Sequence, residues 1–99
     1  MPMICHSHND EFRFLRGEIR KITYTLTSKS GRFFAIESAD ADLYHDGKLM
    51  EKLKVKVNDH DIEFIVDTSK LTDRYYHVIM TCRINEETVK KQMGFVVTV

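Results

Sequence analysis

The chain has 99 residues, 42% of them apolar and 30% charged, with Lys plus Arg matched by Asp plus Glu at 15 each. That balance excludes a disordered chain, and one domain of this length buries roughly two thirds of its unfolded surface, enough to fold without staples. Zero net charge argues against a dedicated nucleic-acid binder, which carries a basic excess, and no apolar run reaches the ~18 residues of a membrane helix.

Residues 1–10 are polar and show no period, which predicts a mobile leader ahead of a single domain over 11–99. The leader lacks the basic region and apolar stretch of a signal peptide, so the expected location is the cytoplasm, with incorporation into a larger exported assembly as the alternative. Phe12 and Phe14 alternate with Glu11 and Arg13 as a first short strand, and Arg16-Gly17-Glu18 turns the chain. The second strand runs from Ile19 to Ser28, with Ile22, Tyr24 and Leu26 inside and Lys21, Thr23, Thr25 and Thr27 outside. Phe33, Phe34 and Ile36 follow a Gly31 turn as a crossing between sheets.

The third strand, Ala39 to His45, turns Ala39, Ala41 and Leu43 inward and Asp40 and Asp42 outward, and Asp46-Gly47 is a strong hairpin signal. In the fourth, Leu53, Val55 and Val57 alternate with Lys52, Lys54 and Lys56. Ile62, Phe64 and Val66 form the inner side of the fifth. A helical turn is expected only near Thr68-Ser69-Lys70-Leu71, with Thr68 as its cap and Leu71 tucked beneath. Tyr76 to Ile84 is the clearest strand, with Tyr76, Val78, Met80, Cys82 and Ile84 on one side. The last strand carries Val89, Met93, Phe95, Val97 and Val99 on one face. Seven strands separated by turn signals predict an all-β fold, an antiparallel sandwich rather than a barrel. The expected core is Phe14, Ile22, Tyr24, Leu26, Leu43, Val55, Val57, Phe64, Val66, Val78, Met80, Ile84, Phe95 and Val97.

The order of features resembles a known group. Phe14-Leu15-Arg16-Gly17-Glu18 opens the domain, Ala39-Asp40-Ala41-Asp42-Leu43 precedes a Gly hairpin, Leu71-Thr72-Asp73-Arg74-Tyr75-Tyr76 leads into a long strand, and Phe95-Val96-Val97-Thr98-Val99 closes it. This resembles the immunoglobulin-like β-sandwich domains of tailed-phage and prophage structural proteins, such as the N-terminal domain of the baseplate upper protein, over about residues 12 to 99. The resemblance implies an immunoglobulin-like sandwich with a non-enzymatic role as a building block or adaptor, and it carries no catalytic residues. The family tends to place Gly where this chain has Asp73, a residue that can also visit the left-handed region. The antibody signature of two cysteines around a tryptophan is absent, since there is no Trp.

Cys5-His6-Ser7-His8-Asp10 has metal-ligand chemistry, but structural zinc sites use two separated ligand pairs and no second pair is visible; a solvated tail is the expectation. Cys5 reads as a free thiol. His45, His60 and His77 are scattered, and Cys82 lies on a buried strand face where a thiol is inert. Lys52, Lys54 and Lys56 read as one exposed face of an edge strand, neutralised by Asp40 and Asp42 across the hairpin, rather than as a phosphate stripe. The outward residues Tyr44, Tyr75 and Ile79 mark a contact surface if the sheets bring them together. No catalytic, cofactor-binding or metal residue is therefore assigned. The expected function is a structural or adaptor module acting through protein–protein contacts, with other protein subunits or a second copy of itself as partner, and neither nucleic acid nor membrane. Association is expected as a two-fold dimer through a sheet face or an edge, the apolar run Phe95 to Val99 included. The alternative is a small module binding carbohydrate or another ligand through surface tyrosines.

Overall fold

The computed structural model describes residues 3–7, 13–28, 30–31 and 33–99, with side chains described from Arg13 onward. Its strands are β1 (Met3–Ser7), β2 (Arg13–Leu15), β3 (Ile19–Ser28), β4 (Ser38–His45), β5 (Lys48–Leu53), β6 (Val55–Asn58), β7 (Asp61–Asp67), β8 (Tyr75–Ile84) and β9 (Glu87–Thr98), with one 3-10 turn at Thr68–Lys70. They form a four-stranded sheet in the order β1-β3-β7-β6 and a five-stranded sheet in the order β2-β9-β8-β4-β5. The two pack face to face as a sandwich. Every pair is antiparallel except β2 with β9, which run parallel, so the expectation of a wholly antiparallel sandwich is corrected at that edge.

The core sits between the sheets because each strand alternates. Ile22, Tyr24 and Leu26 of β3 and Ile62, Phe64 and Val66 of β7 face Ala41 and Leu43 of β4, Tyr76, Val78, Met80, Cys82 and Ile84 of β8, and Met93, Phe95 and Val97 of β9. Aromatic rings anchor both layers. Tyr24 stacks on Phe64 with centroids 6.2 Å apart, and Phe95 touches Phe14 at 5.1 Å and Tyr76 at 5.6 Å. The guanidinium of Arg20 lies 5.5 Å from the Phe14 ring centre and closes that end of the core.

Several expectations change. Residues 3–7 pair with Tyr24–Ser28 of β3, so part of the segment expected as a leader is an edge strand. A ladder uses backbone N–H and C=O groups, and an edge strand needs no apolar period to make it. The lysine row does not form one strand. The chain leaves the five-stranded sheet after Leu53 and joins the four-stranded sheet at Val55, so Lys52 and Lys56 lie on different sheets. Lys52 pairs with Asp42 at 3.4 Å as the hairpin reading requires, whereas Lys56 lies opposite Glu63. Val57, on the edge strand β6, is 40% exposed, and Val55 only flanks the core. Val99 is fully exposed, and β2 pairs with β9 over Val96–Thr98, so that stretch of the C-terminal run is covered rather than an open edge.

The turn chemistry holds at Asp46-Gly47. Both residues have positive φ, 51° and 78°, which matches the twist of the flanking strands. At the 3-10 turn the cap is Asp67 rather than Thr68: its carboxylate accepts from the backbone N–H and hydroxyl of Ser69. Thr68 is instead buried and pins two parts of the chain together. Its hydroxyl accepts from the Gly17 N–H at 3.0 Å and lies 2.7 Å from the Glu18 carbonyl, to which it donates. Leu71 is tucked under the sandwich as expected.

Candidate interaction site on the five-stranded sheet

Because Ala41, Leu43, Val78, Met80, Phe95 and Val97 point inward, their neighbours in sequence point out of the five-stranded sheet. The registers then place the outward residues in rows across β9, β8 and β4. Val96 lies beside Tyr75; Gly94, His77 and Tyr44 form the next row; Gln92, Ile79 and Asp42 the third; Lys90, Thr81 and Asp40 the fourth. Tyr44 and His77 are stacked nearly parallel, 5° apart in plane with centroids 5.2 Å apart. Leu49 of β5 extends the Tyr44 row, and Leu15 of β2 lies at the far edge of the face.

Tyr44, Tyr75 and Ile79, which the sequence marked as outward, thus share one face with Leu49, Val96 and the His77 ring. Tyr75 is 62% and Leu49 50% exposed. Asp42, Asp40 and Lys90 border this apolar stripe. The sequence reading missed Leu49 because a bulge between Leu43 and Tyr44 shifts the hairpin register, so Leu49 rather than a regular alternate residue faces Tyr44. Gly94 and Val96 were legible, since they alternate with Met93, Phe95 and Val97.

The histidines serve separate structural purposes. His45 closes the corner before β8: its Nδ1 donates to the Tyr75 carbonyl at 2.7 Å, its Nε2 lies 3.2 Å from the Asp73 carboxylate, and its ring leans on Tyr76. The Tyr76 hydroxyl accepts the Asp73 backbone N–H at 2.8 Å. Asp73 does not adopt a positive φ, so this corner is held by its hydrogen bonds rather than by left-handed backbone. His60 stacks on Phe34 at 4.0 Å and hydrogen-bonds its carbonyl at 3.1 Å. Cys82 is buried and unbonded to another cysteine. The side chains of Cys5, His6, His8 and Asp10 lie outside the described residues; among the described ones no three His, Cys, Asp or Glu residues cluster as metal ligands.

A groove of about 220 Å³ lies at the β6 edge of the four-stranded sheet. Lys21, Lys54, Lys56 and Glu63 rim it over Val55, Phe64 and Ile65. Lys21 lies 3.8 Å from Glu63. Phe64 there is buried, so the groove offers no exposed aromatic ring on which a sugar could stack. No described helix is long and apolar enough to cross a membrane.

No family model matches the chain, and no curated protein does. Solved structures do. The chain is similar to the endo-β-1,4-mannanase of Thermotoga petrophila at a TM-score of 0.65 and 12% identity, covering 99% of this chain and 20% of that one, so it spans about a fifth of the enzyme's length. It is similar to titin M4 at 0.55 and 14%, over 89% of this chain and 86% of that one, and to domains 4 and 5 of the S-layer protein SbsC at 0.56 and 12%, over 97% and 51%. At such identities the likeness speaks for fold alone. The hydroxyl of a tyrosine at the start of a late strand, bonded back to the backbone just upstream, is the tyrosine corner of such sandwiches. The two sheets, that corner and the match to titin M4 give the chain an immunoglobulin-like β-sandwich fold.

Proposed function

We propose that the protein is a non-enzymatic structural or adaptor module that works through protein–protein contact on the outer face of its five-stranded sheet. The observation that carries this reading is the stripe Tyr44, His77, Tyr75, Ile79, Val96 and Leu49, gathered on one side of the sandwich from four strands. Aromatic and aliphatic side chains with charges at the border are the composition of a contact patch. Two features speak against enzymatic chemistry: Cys82 is buried, and His45 and His60 are committed to local hydrogen bonds.

The resemblance of the segments around Gly17 and Asp73 to tailed-phage structural domains supports a finer reading, a virion- or tail-associated protein made in the cytoplasm and built into a particle. Capsid, tail or holin genes beside the coding sequence would support that placement, and a neighbourhood of unrelated metabolic genes would count against it. The competing reading, a carbohydrate- or ligand-binding module, is tested by a glycan array and a thermal-shift screen. The contact reading predicts no hit; a ligand whose stabilisation disappears in Tyr44→Ala or Tyr75→Ala overturns it.

A further inference from the structure

We propose that a second copy of this chain docks on the outer face of the five-stranded sheet, related by a two-fold axis that lies in the interface and runs along β8. The inference rests on the contact reading above and names its partner. It follows from the asymmetry of the face on either side of β8. On the β9 side the column reads Gly94, Gln92, Lys90: a bare backbone, an amide and a cation. On the β4 side, in the same rows, it reads Tyr44, Asp42, Asp40: a ring and two carboxylates.

An axis along β8 lays the partner's β4 over this copy's β9, row on row. Gly94 then receives the partner's Tyr44 ring, the Gln92 amide meets the partner's Asp42, and Lys90 meets the partner's Asp40. Ile79 meets its own counterpart on the axis. Aligned sheets cross at up to about 30°, which tilts the axis from β8 by about half that angle, so the match is best near Ile79 and fans out away from it. A two-fold axis through Ile79 but perpendicular to the strands fails, because it sets Asp42 against Asp42. The face is self-complementary for one operator, as a closed dimer requires.

Its size sets the strength. With strands about 4.8 Å apart and about 3.4 Å per residue from Tyr75 to Thr81, the patch is roughly 20 Å square, on the order of 400 Å² in plan. Side-chain relief raises the accessible area above that figure, but the contact stays at the small end of specific interfaces, the range of weak and transient contacts.

Gly94 supplies the cleanest test. A Cβ there meets nothing within 4 Å, and its backbone is not in the left-handed region, so a side chain is tolerated by the monomer. Sedimentation velocity on the full chain over rising concentration should show the mass moving from monomer toward dimer. Gly94→Lys should weaken the dimer by about tenfold or more while the far-UV spectrum stays that of the wild type. Lys90→Asp and Asp40→Lys should each weaken it, and the two together should restore it. A wild type that stays monomeric at every concentration overturns self-pairing, though docking to a different protein, and with it the contact reading, would survive. A dimer indifferent to Gly94→Lys overturns the choice of face, and one not rescued by the double exchange overturns the choice of axis.

Discussion

The two outer faces of the sandwich are built on the same inward pattern and differ in how their outward residues are grouped: both expose apolar side chains, but among the described residues only one gathers aromatic rings among them. On the four-stranded sheet, the outward residues of β3 and β7 meet partners within the face: Lys21 lies 3.8 Å from Glu63, and the Thr25 hydroxyl donates to Asp61 at 2.6 Å. Ile19 and Ile65 stand out of that sheet among charges and threonines, Ile19 beside Asp67 and Ile65 beside Lys21. On the five-stranded sheet the outward residues instead form a continuous aromatic and aliphatic stripe. A strand's inward alternation fixes the fold and leaves the other side free to vary. Function is therefore to be sought where that freedom has been used for apolar residues rather than for charges that pair with each other.

The largest effect should come from the layer the two faces share. Phe64→Ala removes a ring stacked on Tyr24 at the centre of the core and should cost about 3–5 kcal/mol in denaturant unfolding, abolishing both faces together. Next is Thr68→Val, which keeps shape but removes the hydroxyl joining the Gly17 N–H to the Glu18 carbonyl. The Glu18 carbonyl keeps the Thr68 backbone N–H, so the loss falls on the Gly17 N–H, and leaving it unsatisfied should cost about 1–3 kcal/mol. It should loosen the β2–β3 corner and the adjoining 3-10 turn while leaving the contact stripe intact.

A matched pair of surface changes then separates the faces. Ile79→Lys and Ile65→Lys should each alter folding stability by no more than about 0.5 kcal/mol. Only the first should alter sedimentation. If both do, or if Ile65→Lys alone does, the contrast between the faces carries no functional meaning. The smallest effect is acidic. The Glu18 carboxylate accepts the Leu15 N–H and pairs with Arg20, and that of Asp67 accepts from Ser69, which holds both below their ordinary values of 4.5 and 3.8. A depressed carboxylate contributes stability above its unfolded value and loses it as pH falls through the folded one. The melting temperature should therefore be level above about pH 5 and decline slightly below about pH 4, and Glu18→Gln with Asp67→Asn should flatten that decline.

Much of this fold could be read from alternation, and the failures have a common cause. Ile19–Ser28 emerges with the bounds expected of it, and the Asp46-Gly47 hairpin forms where the turn residues demand it. The break at Lys54 was invisible. Lys52 through Val57 alternates without interruption, and an edge strand of either sheet turns its apolar residues toward the same core, so the chain changes sheets without breaking the period. Met3–Ser7 escaped for the opposite reason: it has a backbone ladder without a side-chain pattern. The cap shifted by one residue because Asp67 and Thr68 are both competent caps, and only burial beside Gly17 decides between them. As for the contact face, period two marks Tyr44, Tyr75 and Ile79 as outward but cannot say that β4, β8 and β9 are neighbours. That depends on strand order, which the sequence does not display.

The proposed dimer uses the outer face of the five-stranded sheet and not its counterpart on the four-stranded one. Backbone amide spectra recorded by NMR over a concentration series test it residue by residue. Shifts should move progressively at Tyr44, His77, Ile79, Gln92 and Gly94 while those of Lys21, Thr23, Glu63 and Ile65 stay fixed. Movement centred on β3 and β7, or no movement at any concentration, would contradict it.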